Sequence, residues 1–335
     1  MNSMKFSIIP FTPDHIPQAG ELLAARHARD RSVHPELPAR FEDPAIAATA
    51  VEATLSRPRA SGLAAVADGR LLGYLIGEMV LDAVWGRSAW IRTAGCALSP
   101  DQDPELVRDL YAGLAAPWVD YGCFSHFALM PTADPALLNA WYSLSFGIEQ
   151  VHALLDLEQY RDQAAGAPPG IEIRLGNQRD QGRLGNIPHV IWQHQIGPPV
   201  WGMSLPEAIP EIDEGWDELL EDDQAKIWLA FKDGKVIGSQ GHWPADEADD
   251  GLMIPPDCVH MTIGATLPEA RGLGIGTALT RQAMAQSLAD GYRFCEADWR
   301  SANLLASRFW PKQGFRPVVY RLVRRIDSRI AWSRK

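Results

Sequence analysis

At 335 residues, with 46% hydrophobic and 22% charged side chains, the chain has the length of two ordinary domains and the composition of a globular protein, which excludes disordered, collagenous and coiled-coil classes. Forty-two acidic against 31 basic residues give a net charge of -11, the wrong sign for holding a polyanion, so nucleic acid is not an expected partner. No apolar run approaches the roughly 18 to 20 residues that span a bilayer, and Met1 to Ser7 carry no long apolar stretch, so a cytoplasmic protein without membrane contact is expected, as monomer or homodimer.

In chain order, Phe6-Ser7-Ile8-Ile9 predicts a first strand, and Leu63 to Gly73 a β-hairpin turning at Asp68-Gly69, because Asp-Gly between β-prone runs favours a tight primed turn. Leu137 to Tyr142 predicts a helix with a core face, closed by Trp141 to Phe146. The same features then recur: Ile171 to Arg174 and a hairpin at Asp233-Gly234 stand 165 residues further on, and Trp310 to Phe315 stands 169 further on. Two copies of one α/β unit account for this. The boundaries read as a domain over 1–160, a linker over 161–170 containing Pro168-Pro169, and a domain over 171–335.

Within the second copy the patterning predicts strands at Ile171 to Arg174, Lys226 to Phe231, Lys235 to His242, Val259 to Leu267, Phe294 to Trp299 and Val318 to Val323, with helices near Gly276 to Ala289 and Asn303 to Gln313. Cys96, Cys123, Cys258 and Cys295 lie far apart in apolar stretches with no paired spacing, the pattern of reduced core thiols and not of a metal site, so no metal is expected. Glu207, Glu211, Asp213, Glu214, Asp217, Glu218, Glu221, Asp222 and Asp223 form an acidic run without a basic residue, readable as a lip favouring a cationic amine or as a solvated face.

The sharpest motif is the strand end Thr266-Leu267 running through Arg271-Gly272-Leu273-Gly274-Ile275-Gly276-Thr277 into a helix. Such a turn offers consecutive backbone N–H groups at the positive end of a helix dipole, a place for phosphate. Its spacing is neither GxxxxGK[ST] nor a full GxGxxG, which counts against a nucleotide or dinucleotide protein.

Arg271 to Gly276 resembles the [Q/R]xxGx[G/A] loop of the GNAT superfamily of acyl-CoA-dependent N-acetyltransferases, and Asn303-Leu304-Leu305-Ala306-Ser307-Arg308-Phe309-Trp310-Pro311-Lys312-Gln313-Gly314-Phe315 resembles its NxxAxxFYxxxGF helix. The resemblance covers residues 170–326 well and 5–158 weakly. It implies an α/β fold of two tandem GNAT-like domains, each a central twisted mixed sheet flanked by helices, with splayed fourth and fifth strands. It also implies acetyl-CoA as co-substrate, held by Gly264, Ala265 and Thr266 along the pantetheine arm, by Arg271, Gly272, Leu273, Gly274, Ile275, Gly276 and Thr277 at the pyrophosphate, and by Asn303. At the matching place the first copy reads Ala97-Leu98-Ser99-Pro100-Asp101-Gln102-Asp103-Pro104-Glu105, with no glycine and three carboxylates, so that copy is expected to have lost the cofactor.

N-acetylation of a primary amine needs a base, an oxyanion stabiliser and a route for the leaving thiolate. Glu296 and Asp298 alternate onto one strand face and are candidate bases, as is His260, whose ordinary pKa is near neutrality. Where many GNAT relatives carry a Tyr, this chain has Trp310, so Tyr320 is the phenol left as candidate acid, and a non-catalytic acyl-CoA-binding or sensor protein stands as the alternative.

Overall fold

The computed structural model describes residues 6–82, 85–161, 166–202, 206–246 and 251–333. Residues 162–165 of the expected linker lie outside the described residues, and 166–170 contain neither helix nor strand.

The chain forms two compact units. The first holds the described residues up to Val151, the stretch 251–253, and the chain from Pro317 onward; the second holds 152–246 and 254–316. The units are therefore not consecutive halves of the chain.

The first unit contains β1 (Ser7–Pro10), α1 (Ile16–Val33), α2 (Pro44–Leu55), β2 (Ala60–Ala67), β3 (Arg70–Asp82), β4 (Gly86–Ile91), β5 (Cys96–Leu98), α3 (Leu106–Asp120), β6 (Ser125–Pro131), α4 (Pro135–Ser143) and the start of β7 (Gly147–Asp156). Its strands run in the order β1-β2-β3-β4-β6, with β5 paired to β3. The hairpin at Asp68-Gly69 forms as the sequence predicts, with both residues at positive φ (49° and 77°) and β2 antiparallel to β3. Trp118, Trp141 and Phe127 are each 1% exposed or less, and the first two sit in a cluster with Leu110, Tyr111 and Phe146 that joins α3 and α4 to the sheet.

The second unit contains β8 (Glu172–Leu175), α5 (Val190–Gln195), α6 (Ile209–Leu219), β9 (Lys226–Lys232), β10 (Lys235–Pro244), β11 (Cys258–Thr266), α7 (Ile275–Ala289), β12 (Phe294–Arg300) and α8 (Leu304–Phe309). Its strands run in the order β12-β11-β10-β9-β8, and β7 beyond Val151 lies on the free side of β12. β11 is parallel to β12 and the other pairs are antiparallel. The acidic run becomes α6, which buries Trp216 against Leu184, Ile187 and Ile227 and turns Glu211, Asp213, Glu214 and Glu218 to solvent. All four cysteines are buried free thiols.

The strand expected at Val318 to Val323 forms as β13 (Arg316–Arg325), but it folds into the first unit. There it is antiparallel to β6 from Val319↔Pro131 to Arg325↔Ser125 and also neighbours β7. Arg321 fixes this position, donating to Glu149 at 2.9 Å and to Gln150. Arg321 is 7% exposed, so its charge requires those partners.

A chain ending at Phe315 removes β13 from between β6 and β7 of the first unit and leaves two unpaired strand edges. Such a truncation is expected to make the first unit protease-sensitive under conditions where the full chain resists. Equal resistance of the two chains in limited proteolysis would show that β13 does not support that unit.

Candidate active site

The parallel ladder between β11 and β12 pairs Cys258↔Phe294, Val259↔Cys295, His260↔Glu296 and Met261↔Ala297, and ends there, although β11 continues to Thr266 and β12 to Arg300. At the same point β11 carries a bulge against β10: Gly241 faces Ile263 and Trp243 faces His260, so three steps of β11 oppose two of β10. A bulge bends its strand and re-aims the groups beyond it, which is how the two strands diverge. Past Met261 the side of β11 toward β12 is a ribbon of backbone with no ladder partner. Gly264 is exposed although it lies mid-strand, while Ala265 is buried and Thr266 half-buried.

From this ribbon the chain turns through Pro268–Ala270 and Arg271 into Gly272 and Gly274, both at φ 79°. A left-handed backbone of this kind strains any residue with a Cβ, and a Cβ on Gly272 would meet nothing within 4 Å. Glycine is therefore required by the turn and leaves its outer face open. Gly274 caps α7, whose first N–H groups have no intrahelical acceptor and gather at the positive end of its dipole. Leu273, Leu304 and Leu305 stand 46–51% exposed beside the turn and the start of α8, and Arg271 donates from Nε to the Thr266 carbonyl at 3.3 Å.

Asn303 caps α8 by accepting from the N–H groups of Leu305 and Ala306, and its Oδ1 also lies 3.1 Å from Nε2 of His194 on α5. Trp310 is buried beside Gly264, where an added Cβ would come within 3.3 Å of its ring.

Three side chains converge at the ladder's end. Glu296 is held by Nδ1 of His152 at 3.2 Å and by Nδ1 of His260 at closer range. The Glu296 side chain is 4% exposed and that of His260 27%, so the carboxylate lies behind and the imidazole in front. Burial pushes the Glu296 carboxyl up, but hydrogen bonds and charge from the two histidines outweigh it and hold the group ionised, to about 2. Burial pulls the His260 imidazole down, but the hydrogen bond and charge of Glu296, with the charge of Asp298, outweigh it and raise the net value. Asp298 is half-buried two residues along the strand on the same face. Trp243 packs its ring against His260 at 5.8 Å.

The structure thus gathers Glu296, His260 and Asp298 in the second unit, with Gly264, Ala265 and Thr266 on the diverging strand and residues 271–277 on the turn. Tyr320 belongs to the other unit. It lies in β13 of the first unit, opposite Met130, and packs half-buried against that unit's main core cluster. The reason is strand pairing: β13 joins β6, and the sequence alone does not say which sheet a last strand enters. Sequence reasoning also missed His152 and His194. His152 interrupts the apolar run Val151 to Leu155, a detectable sign of a buried polar task, whereas His194 carries no signal beyond its helical position.

In the first unit the corresponding region is filled. Arg26 of α1, 4% exposed, donates from Nη1 to the Thr93 carbonyl at 2.7 Å and to the Cys96 carbonyl, and Tyr74 donates its hydroxyl to the Ala94 carbonyl at 2.8 Å. These carbonyls lie between β4 and β5, where the strand is interrupted.

The second unit is thus a mixed α/β sheet with one diverging parallel pair and a glycine-rich helix entry beside it. Residues 192–315 match the sequence profile of the Acetyltransferase (GNAT) family. A GCN5-related N-acetyltransferase from Sphaerobacter thermophilus shares the fold at 14% identity, with a TM-score of 0.56 over 96% of this chain and 95% of that one. A tandem GNAT protein from the clavulanic acid biosynthesis pathway, in a structure without acetyl-CoA, does so at 14% identity, with a TM-score of 0.52 over 96% of this chain and 98% of that one. No curated protein matches the sequence. The fold is that of the tandem GNAT proteins. No helix among the described residues is long and apolar enough to cross a membrane.

Replacing Glu296 by Gln removes the charge that supports His260 and leaves burial as the main influence. The His260 midpoint, followed by NMR, is expected above the ordinary 6.5 in the wild type and below it in Glu296→Gln. Because the folded value of His260 is the raised one, its share of the pair's stabilisation is full below pH 6.5, while Glu296 stays ionised, and is lost as pH rises through the folded midpoint. An unchanged midpoint in the variant would remove Glu296 as the source of the shift.

Proposed function

We propose that the second unit transfers an acetyl group from acetyl-CoA to a primary amine of a small, cationic molecule. The observation that carries this reading is the open backbone of β11 beyond Met261 leading directly to the glycine turn at α7, because a thioester arm and its diphosphate need those two features in that order.

The residues present fit the co-substrate. Gly264, Ala265 and Thr266 would pair with the pantetheine amides, residues 271–277 would hold the pyrophosphate, and the exposed Leu273, Leu304 and Leu305 give apolar cover nearby. Asn303 contributes through its cap, which sets the start of α8. Acetyl-CoA supplies the activated acyl group, and the remaining tasks fall to the chain. A backbone N–H near Gly264 or Ala265, unpaired toward β12, stabilises negative charge building on the carbonyl oxygen. His260 takes the proton from the attacking amine through Nε2, since Nδ1 is committed to Glu296. Glu296 is a positioning residue, buried behind the imidazole, and His152 holds Glu296 from the other side. Asp298 and the exposed carboxylates of α6 attract the substrate as an ammonium before it loses that proton.

Trp310 has no proton to donate to the departing thiolate, and a thiol with a pKa near 8.5 leaves as the anion at modest cost. Trp310 at this position favours a second reading, acyl-CoA binding without transfer. The first unit serves as structure: Arg26 and Tyr74 already satisfy the carbonyls between β4 and β5, and Asp101, Asp103 and Glu105 repel a diphosphate. One co-substrate site per chain follows, with the domain over 1–160 as the degenerate copy and 171–335 as the copy that supplies the site.

Calorimetric titration with acetyl-CoA is expected to give one site per chain, and Gly274→Glu, which places a carboxylate at the turn, is expected to abolish it. Undiminished affinity in Gly274→Glu would overturn the loop assignment, and two sites would overturn the role given to the first unit. With an accepted amine, His260→Gln is expected to lower kcat by about 10²-fold or more and to remove a pH–rate limb whose midpoint lies above 6.5. Asp298→Asn is expected to act mainly on KM for the amine. Loss of the limb in Asp298→Asn alone would make Asp298 the base, and absence of CoA release with every cationic amine would favour the binding-only reading.

A further inference from the structure

The second unit has another concavity, at the far end of α7 from the glycine turn, about 20 Å along a 15-residue helix. There the start of β9, the end of β10, the start of β11 and the residues after α7 enclose about 150 Å³, the space of about five waters. His242, Lys226, Asp290, Tyr292, Trp243 and Asp223 line it.

His242 is the unusual member. It is 3% exposed, and neither Nδ1 nor Nε2 has a hydrogen-bond partner among the described residues. Buried polar groups are nearly always matched, so a side chain lining a cavity with both atoms unmatched marks a place where something else supplies the bonds. Burial, helped by the charge of Lys226 and opposed by that of Asp290, lowers its pKa to about 4. The neutral ring therefore offers one donor and one acceptor.

The surrounding charges are of both signs. Lys226 gives one hydrogen bond to Asp290, whose other oxygen accepts from Gln286 at 2.8 Å, so the ammonium keeps donors to spare while both oxygens of Asp290 are already engaged. Asp223 stands exposed at the rim. A simple anion entering the cavity would meet Lys226 but be opposed by two carboxylates, and a simple amine would meet Asp223 but be opposed by Lys226. A molecule carrying both charges on a short spacer satisfies each.

We propose that this cavity binds a small amino carboxylate, its carboxylate on Lys226 and His242 and its ammonium on Asp223. The available space admits a molecule of the size of glycine to γ-aminobutyrate. Trp243 forms a wall of the cavity and also packs on His260, so occupancy presses on the ring that borders the candidate base. The binding itself does not depend on the acyltransferase reading, because no residue of the glycine turn or of β11 beyond Met261 takes part.

The test follows the imidazole of His242 by NMR in the full chain at neutral pH, assigned with His242→Gln, during titration with glycine, β-alanine and γ-aminobutyrate. Acetate and ethylamine serve as single-charge controls. A saturable shift is expected with at least one of the three zwitterions, about tenfold weaker with either control, as the loss of one charge-assisted contact implies. The bound carboxylate is also expected to raise the His242 midpoint, since it stabilises the imidazolium. Lys226→Met and Asp223→Asn are each expected to weaken the response by about the same factor. Absence of a saturable shift with every zwitterion would mean that the cavity holds water alone, and an equal response to acetate would make it an anion site; either result overturns the proposal.

Discussion

A parallel strand pair that stops pairing in the middle of a sheet is costly, because each backbone N–H and C=O left without a partner forfeits a bond that the rest of the sheet provides. The second unit accepts this between β11 and β12. Its site is built from that accommodation: the bulge in β11 turns the freed backbone toward the gap, Gly264 keeps the gap open, and the glycine turn at the strand's end adds the unpaired N–H groups of α7. The strand side without a ladder partner on β12 and the first N–H groups of α7 thus fall in one line, from the ladder's end at Met261 to the helix start at Ile275. Under the proposed function, an extended ligand with amides at one end and phosphates at the other would match that line, with backbone and not long polar side chains carrying the recognition.

The first unit meets the same constraint without a ligand. Its β4 ends at Ile91, β5 resumes at Cys96, and Arg26 reaches from α1 to bond the carbonyls at both ends of the interruption. A guanidinium suits the task because it presents several donors in a fixed plane. Its charge is offset by Asp30, 3.4 Å away and also buried. The two units are two solutions to one structural cost, met in one by the protein's own cation and left open in the other.

How much of this was legible depended on whether a feature is set locally or by distant pairing. The hairpins at Asp68-Gly69 and Asp233-Gly234, the six strands of the second copy and the helix after Gly274 are local: turn chemistry, alternation and glycine spacing specify them, and they form where the sequence places them within one or two residues. The destination of β13 is not local. Alternation identifies a strand at Val318 to Val323, but its partner is chosen by edges nearly 200 residues away, and that choice set Tyr320 against the first unit's core. For the same reason His152 escaped notice: its meaning comes from Glu296, 144 residues further on, and from nothing nearby in sequence.

The cluster at the ladder's end shows how these pairings become chemistry. Glu296 alone, buried on β12, would be driven toward its neutral form. Two imidazoles, one from β7 and one from β11, reverse that tendency, and the carboxylate in return raises His260. The exchange needs three strands in register: β11 and β12 bring His260 opposite Glu296 in the last turns of their ladder, and β7 supplies His152 from the other side. A shift of one residue in either pairing would send one histidine to the opposite face and leave a buried carboxylate with half its support. The sheet register therefore sets the protonation state at the mouth of the gap, and the place where β11 and β12 part sets what that group faces.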